Sequence, residues 1–463
     1  MRTMRARLVY GALAIGALAG CSSSSNSATG GPGDSSTPFD SGKPDGTPLV
    51  DAKGPDTSVP VDSGGIGPST HDSAVDVSTA PTDAGHAKDS AAESAVADAA
   101  IDAPDTDSGG SSSAPLQSCA AGGPGMTNCG AGGTGTESCC TSLPVAGGTY
   151  FRTYDPAGPD GGPKVAPDGG PTGEASPATI SGLNVDKYPV TVGRFRQFVN
   201  AWDNGAGYEP AQGSGKHTHV NGGFGLANVD PTGGSLGAYE PGWYASDDGE
   251  IAPTNTNLAC ADPGFDYATW TPTAGSQESL PINCVTWYEA YAFCIWDGGF
   301  LPSEAEWEYV AAGGSDQRLF PWGATEPGLA NAYAIFGNDE GNCNYPSGPK
   351  LCSSIAGGAN GMSPLAPVGW ASSGAGRWGQ LDLVGNVEEW TLDTINMYVQ
   401  DDNELYGYVT PCTDCVDLGD VDYKSIRGSS FYDGQNQLLP PFRDYFASKY
   451  RSYEIGFRCA RTP

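Results

Sequence analysis

The alternation of apolar and polar residues predicts a mixed α+β domain in the C-terminal part of the chain. Residues 143–150 are typical of an extended stretch around a glycine turn, and residues 184–191 alternate as a strand does. Thr191 can then cap a helix that carries Phe195 and Phe198 on one face. The pattern therefore predicts short strands followed by an amphipathic helix.

Two capping boxes predict the next two helices. Thr286 with Glu289, and Ser303 with Glu306, each place a hydroxyl three residues before a carboxylate, and an apolar stretch follows each pair. Residues 203–280, which precede these two helices, are rich in glycine and aspartate. We expect them to form a long, ordered, loop-dominated insertion.

The insertion contains two histidines, His217 and His219. A pair with this spacing can ligate a metal, but the sequence offers no third ligand nearby. We therefore expect both histidines to lie in a surface loop.

The N-terminus is typical of an exported lipoprotein. Three arginines precede an apolar run that ends in small residues before Cys21. The run is too short to span a bilayer, and its ending looks like a bacterial lipobox. We expect residues 1–20 to be a signal peptide and Cys21 to carry the lipid that anchors the protein in the cell envelope. An ordinary secretory signal with an incidental cysteine is the alternative, and Ser22 favours the outer membrane.

Residues 21–117 are expected to form a disordered acidic linker. Within them, residues 22–117 contain fifteen acidic residues, three lysines and a single aromatic residue, Phe39. Such a composition cannot bury enough apolar surface to offset the entropy of ordering. The whole chain has a net charge of −32, which repels phosphate backbones and excludes nucleic acid as a partner. The lipid is therefore the only expected contact with a membrane.

The cysteines of an exported chain are expected to form disulfides. Twelve remain once Cys21 is set aside. Four lie in a small Cys-rich segment, residues 118–142, and should pair among themselves, with Cys139 and Cys140 taking different partners. Elsewhere we expect pairs that close local loops in Gly-rich segments: Cys260–Cys284, Cys343–Cys352 and Cys412–Cys415. The last pair is a CxxC, for which pairing elsewhere or redox activity are the alternatives.

Five motifs in order point to a known family. They are LPSEAEWEY at 301–309, FPWG at 320–323, DLVGNVEEW at 382–390, RGSSF at 427–431 and IGFRCAR at 455–461. This series resembles that of the formylglycine-generating enzyme (sulfatase-modifying factor) domain. The resemblance predicts such a domain over residues 143–463. The resemblance implies an α+β, C-type-lectin-like fold with little regular secondary structure.

The resemblance also implies a chemistry whose key residues are missing. Active members of the family oxidise a cysteine of a sulfatase with oxygen and a copper(I) ion held by two thiolates. The positions that match those thiolates hold Asp433 and Leu438. Neither a carboxylate nor a hydrocarbon replaces a thiolate for copper(I). We therefore expect no copper and no formylglycine-generating activity.

The family's scaffold residues are present. The resemblance implies a disulfide between Cys294 and Cys459 and a calcium ion as cofactor. The first implied calcium site uses the side chains of Asp382 and Glu389 with the carbonyls of Gly385 and Val387; carboxylates that cap a turn without a metal are the alternative. A second, less complete set is Asn331, the Ala332 carbonyl, Asn360 and the Met362 carbonyl.

Three classes of function remain. The first is a non-catalytic surface module that binds a peptide, a glycan or a partner protein. The second is an enzyme of altered chemistry on the same scaffold, and the third is a structural envelope protein. The retained scaffold and the missing cysteines favour the first.

Overall fold

The structure is a computed structural model that describes residues 116–119, 127–130, 135–155, 172–229, 238–260, 267–338, 341–346, 348–352, 363–395, 400–401, 404–405, 408, 410–419 and 422–463. The expected signal peptide, Cys21 and almost all of the expected linker lie outside the described residues. Within the described ranges, no helix is both long and apolar enough to cross a membrane.

Four α-helices occur in the described part of the chain: α1 (Val192–Trp202), α2 (Asn255–Leu258), α3 (Trp287–Trp296) and α4 (Glu304–Ala312). The Thr191 hydroxyl accepts a hydrogen bond from the first turn of α1, as predicted. Both predicted capping boxes are formed, at the start of α3 and of α4. Local sequence signals therefore set the beginning of all three longer helices.

The strands are short and form several small sheets. Their bounds are β1 (Thr127–Cys129), β2 (Glu137–Ser138), β3 (Ser142–Val145), β4 (Gly148–Asp155), β5 (Thr172–Ile180), β6 (Leu183–Asp186), β7 (Ala227–Asn228), β8 (Asn342–Cys343), β9 (Lys350–Leu351), β10 (Glu388–Thr394), β11 (Gln400–Asp401), β12 (Glu404–Leu405), β13 (Cys412–Thr413), β14 (Cys415–Val416), β15 (Tyr423–Arg427), β16 (Arg443–Ala447), β17 (Ile455–Gly456) and β18 (Ala460–Arg461). The largest described sheet has the order β16-β15-β10-β17, and the three-stranded sheets are β13-β5-β4 and β18-β6-β3. The fold class is α+β, as the sequence predicts.

Strand β6 is shorter than the predicted stretch of residues 184–191, since it ends at Asp186. Pro189 has no N–H to donate to a ladder. Tyr188 turns into a separate apolar cluster with Cys129 and Cys139. The Cys-rich segment therefore packs directly against the domain that follows it.

The largest apolar cluster lies between α1, α3 and the sheet that contains β10. Phe195 of α1 packs against Phe293 of α3 and Phe457, and Trp390 of β10 belongs to the same cluster. The distance between the ring centroids of Phe195 and Phe293 is 5.7 Å. This cluster holds the two helices against the sheet.

A ring of four buried charges connects distant parts of the chain. Arg194 contacts Asp186 at 2.9 Å and Asp297 at 2.7 Å, and Arg461 contacts the same two aspartates. Burial alone would raise the pKa of Asp186, but Arg461 and Arg194 hold it below its usual value. The backbone N–H of Ser118 donates to Asp297 at 2.8 Å. The ring therefore also fixes the start of the described chain.

Six disulfides join the described residues: Cys119–Cys140, Cys129–Cys139, Cys260–Cys284, Cys294–Cys459, Cys343–Cys352 and Cys412–Cys415. They include the four expected pairs, and the neighbours Cys139 and Cys140 take different partners. The CxxC disulfide joins β13 to β14, and both of its cysteines are buried.

Candidate functional site

An open groove lies between the segment that follows α4 and the segment that follows β15. Its volume is about 550 Å³. Its apolar lining is Leu319, Phe320, Leu329, Phe336 and Leu439, and its polar lining includes Glu326, Asn338, Gln435 and Asn436. Leu329 is 55% exposed, although most leucines of the domain are buried. Leu319, Phe320 and Phe336 are buried, so Leu329 and the half-buried Leu439 are the apolar lining residues that reach solvent.

The base of the groove is apolar. Leu438 is fully buried and belongs to a cluster with Trp307 and Ala311 of α4 and with Phe336. Leu439, the next residue, packs on this cluster and lines the groove. One of the two positions that the resemblance assigns to a thiolate is therefore a packing residue beneath the groove.

The residue at the other thiolate position, Asp433, is hydrogen-bonded within a turn. One carboxylate oxygen of Asp433 accepts hydrogen bonds from the Ser430 N–H at 2.7 Å and from the Ser430 hydroxyl at 2.8 Å. The Asp433 carbonyl accepts a hydrogen bond from Gly337, which lines the groove. Asp433 thus ties the Ser430 turn to the facing wall of the groove.

Side-chain contacts hold the groove walls in place. Gln435 donates a hydrogen bond to Glu326, so the two wall segments are linked. Phe320 stacks on Trp322 with ring centroids 5.0 Å apart, and Trp322 contacts Tyr333 at 5.3 Å. An aromatic layer therefore supports the apolar side of the groove.

Buried charges lie behind the groove. Arg427 at the end of β15 pairs with Glu308 of α4, and both side chains are fully buried. Burial raises the pKa of Glu308 to about 7, although Arg427 acts to lower it. Arg443 of β16 pairs with Glu304 on the preceding turn of α4. Helix α4 is thus joined to two strands by ion pairs.

The first predicted calcium loop has both of its carboxylates, Asp382 and Glu389, buried. The Asp382 side chain accepts a hydrogen bond from the Gly369 N–H at 2.5 Å. Burial raises the pKa of Asp382 to about 6, and the charge of Glu389 adds to the increase. The Gly385 carbonyl accepts a hydrogen bond from the Val387 N–H.

Glu389 already has a cationic partner in the chain. Arg458 donates to one of its oxygens at 2.7 Å and to the other at 2.8 Å, and the Trp307 indole donates at 2.8 Å. A cation at this loop would share Glu389 with the Arg458 guanidinium. The Asp382 carboxylate and the backbone carbonyls are the groups with fewer contacts.

The second predicted calcium set is described in part, because Asn360 and Met362 lie outside the described residues. Asn331 is buried, and its Nδ2 donates to the Asn344 carbonyl at 3.1 Å. Its Oδ1 is buried without a hydrogen-bond partner among the described residues. Such an orphaned oxygen suits a hard cation. The described residues contain no group of three or more His, Cys, Asp or Glu side chains placed to hold a metal.

The predicted surface position of His217 is wrong. His217 is fully buried, with Nδ1 3.0 Å from Glu240 and Nε2 3.1 Å from Glu306. Burial alone would lower the pKa of His217, but the two carboxylates raise it to about 10. His219 is half-buried and stacks on Phe300. Spacing along the sequence could not show that Glu240 and Glu306 converge on one imidazole.

The sequence does not predict the apolar groove residues either, because Leu319, Leu329 and Leu439 lie in irregular segments without hydrophobic periodicity. The signal that could have located one wall is Pro440-Pro441, because two prolines in succession fix the backbone of a loop. The other wall begins at Phe320 in the FPWG motif.

The model of the sulfatase-modifying factor enzyme 1-like domain, the FGE-sulfatase family, matches residues 134–463. The chain belongs to this family. Membership of the FGE-sulfatase family includes the C-type-lectin-like fold class that the motifs imply.

Several curated proteins resemble the chain. The inactive C-alpha-formylglycine-generating enzyme 2 of Mus musculus is 34% identical over 139 residues, which cover 29% of this chain and 40% of that protein. The formylglycine-generating enzyme of Mus musculus is 28% identical over 296 residues, or 62% of this chain and 65% of that protein. The hercynine oxygenase of Mycolicibacterium smegmatis is 30% identical over 184 residues, or 39% and 37%. The chain thus spans less than two thirds of the length of each.

Solved structures also resemble the chain at low identity. PvdO from Pseudomonas aeruginosa is 18% identical, with a TM-score of 0.39 over 71% of this chain and 100% of that one. Treponema denticola variable protein 1 is 16% identical, with a TM-score of 0.35 over 70% and 95%. The likeness to both concerns the fold alone.

Proposed function

We propose that this FGE-sulfatase family member is a non-catalytic, lipid-anchored surface module whose groove binds an extended segment of a partner protein. The observation that carries the proposal is that Asp433 and Leu438 occupy the two thiolate positions beside an open groove. One residue is bound to a turn and the other is buried, while the surface beside them stays open. Binding without oxidation is the activity that this arrangement supports.

The lining of the groove supports a peptide rather than a sugar. Its lining includes five apolar side chains, of which Leu329 extends into solvent. Apolar anchors with a few amide groups suit an extended peptide, whose side chains enter the groove while its backbone meets Asn338 and Gln435. The name of one relative, an inactive formylglycine-generating enzyme, is consistent with loss of chemistry in this family.

The test is a binding screen with the full chain. The probe is a library of fluorescent decapeptides that contain one or two apolar residues. We expect micromolar binding that Leu329→Glu weakens at least tenfold and that Tyr450→Ala leaves unchanged, because Tyr450 is an exposed aromatic residue outside the groove lining. Binding that both variants retain would contradict the groove as the site.

A second experiment tests the absence of catalysis. The chain is incubated with copper(I), oxygen and a cysteine-containing sulfatase peptide, and the product is analysed by mass spectrometry. We expect no conversion of cysteine to formylglycine, since the thiolate pair is missing. Conversion by the wild-type chain would refute the non-catalytic proposal.

The anchor is tested by fractionation. Cys21→Ser removes the thiol that would carry the lipid, so we expect the protein to leave the membrane fraction. Full retention of the variant in membranes would contradict lipid anchoring.

Calcium is part of the proposal as a stabilising ion. The Asp382 carboxylate of the first predicted site and the orphaned Asn331 Oδ1 of the second are oxygen ligands that fit calcium. Calcium at the first site would offset the charge of its buried carboxylates. A ligand at a hundred times its dissociation constant adds about 2.7 kcal/mol to the free energy of unfolding. The measurement is a thermal melt with calcium or with chelator, for the wild type and for Asp382→Asn. An equal melting temperature with and without calcium would rule out the ion.

A further inference from the structure

The groove wall from Leu438 to Phe442 has few backbone donors. Pro440 and Pro441 are consecutive and have no N–H, so neither of them can donate to a carbonyl of this segment. The Leu438 N–H donates to the Gln435 carbonyl, and the Phe442 N–H donates to the Leu439 carbonyl. The carbonyls of Pro440 and Phe442 need donors from elsewhere.

Arg427 supplies those donors. Its Nη1 donates to the Pro440 carbonyl at 3.0 Å and to the Phe442 carbonyl at 2.9 Å. The guanidinium presents several N–H groups in a fixed plane, so one side chain can hold two carbonyls at once. Lysine, with a single point charge on a flexible stem, cannot reproduce this arrangement.

The guanidinium itself is fixed from the other side. Its Nη2 donates to Glu308 of α4 and, at 3.0 Å, to the Tyr408 hydroxyl, while Nε lies 3.0 Å from Glu304. Arg427 is 1% exposed, and hydrogen bonds to charged groups in the interior are strong. Its position is therefore set by α4 and transmitted to the wall.

We propose that Arg427 is the positioning residue of the groove: its buried guanidinium fixes the Leu438–Phe442 wall relative to α4. This sets where Leu439 stands against a bound peptide. The inference rests on the proposed function, because it gives the wall a role in binding. The position of the wall can be measured without any ligand.

The experiment is hydrogen–deuterium exchange of the full chain, for the wild type, Arg427→Lys and Arg443→Lys. Arg443 is the matched control, because its guanidinium binds Glu304 in the same charge cluster at 2.7 Å. We expect Arg427→Lys to speed exchange at the amides of Leu438 and Phe442 about tenfold relative to Arg443→Lys. Exchange in α3, remote from the wall, should change equally in both variants, whereas a purely structural role would speed exchange everywhere.

Equal exchange of the wall in the two variants would overturn the inference. If Arg427→Lys does not fold, Glu308→Gln gives the second test, since it keeps Arg427 and removes the charge of one of its two carboxylate partners. We then expect a threefold or greater increase in wall exchange, and an unchanged rate would also overturn the inference. Decapeptide binding by the wild type tests the proposed function separately. A chain with a tightly held wall and no peptide binding would refute that function and leave the positioning role intact.

Discussion

Helices α3 and α4 begin with the same capping motif, but the buried glutamate of that motif has a different cationic partner in each helix. Each has a capping box, in which Glu289 or Glu306 bonds back to the first residue of the motif. Both glutamates are buried. Arg451 binds both oxygens of Glu289, at 2.6 and 2.7 Å. Glu306 instead faces His217, which comes from the insertion.

The same local capping motif therefore depends on different distant residues in the two helices. A buried carboxylate needs a nearby cation, and the cap alone does not provide one. Burial would raise the pKa of Glu306, but His217 holds it below its usual value. Arginine keeps its charge at every accessible pH, whereas histidine can lose it. Of these two helix starts, only that of α4 therefore depends on a histidine, and so on pH.

The largest expected effect is at His217. His217→Ala leaves Glu240 and Glu306 buried without a cation, so we expect the free energy of unfolding to fall by about 3–5 kcal/mol. The measurement is urea denaturation at pH 7. The control is His219→Ala, whose ring nitrogens have no hydrogen-bond partner among the described residues, and it should cost far less. Similar losses in the two variants would mean that the insertion histidines only fill space.

Arg451→Gln should have a smaller effect than His217→Ala. The Arg451 side chain is 17% exposed, so water can partly replace it beside Glu289. We expect a loss of about 2 kcal/mol in the same denaturation experiment. A loss larger than that of His217→Ala would reverse the comparison between the two helices.

Raising the pH should weaken α4 and not α3. The folded-state pKa of His217, about 10, lies above its value of 6.5 in the unfolded chain. Its stabilisation is therefore complete below the unfolded pKa and disappears as the pH rises through the folded one. Between pH 7 and pH 9 we expect a loss of about 1.4 kcal/mol per pH unit in the wild type relative to His217→Gln. Parallel pH profiles of the two proteins would show that His217 is not charged in the fold.

The smallest expected effects are at the caps themselves. Ser303→Ala and Thr286→Ala each remove one side-chain oxygen that accepts a backbone N–H, and we expect a loss of about 1 kcal/mol from each. Thermal denaturation of the two variants checks this. A much larger effect at Ser303 would mean that its hydroxyl also orients the Glu306 carboxylate, to which it donates at 3.0 Å.

Local features of the fold could be predicted from residue spacing, and distant contacts could not, except for the Cys294–Cys459 disulfide that the family resemblance implies. The boxes at Thr286 and Ser303 depend on residues three positions apart, and the loop-closing disulfides join cysteines 3 to 24 positions apart. The partners of Glu306 and Glu389 are His217 and Arg458, which lie far away in the sequence, and no periodic pattern connects them. The groove is of the same kind, because its walls come from two irregular segments that meet only in the folded chain.

The ring of four charges has a consequence for biosynthesis. Asp186 and Arg194 leave the ribosome long before Arg461, the last member of the ring. Strand β6 likewise waits for β18, and the cysteine of α3 waits for Cys459. The early part of the domain therefore cannot take its final pairing during elongation, and a truncation before Arg461 leaves two buried aspartates with one arginine.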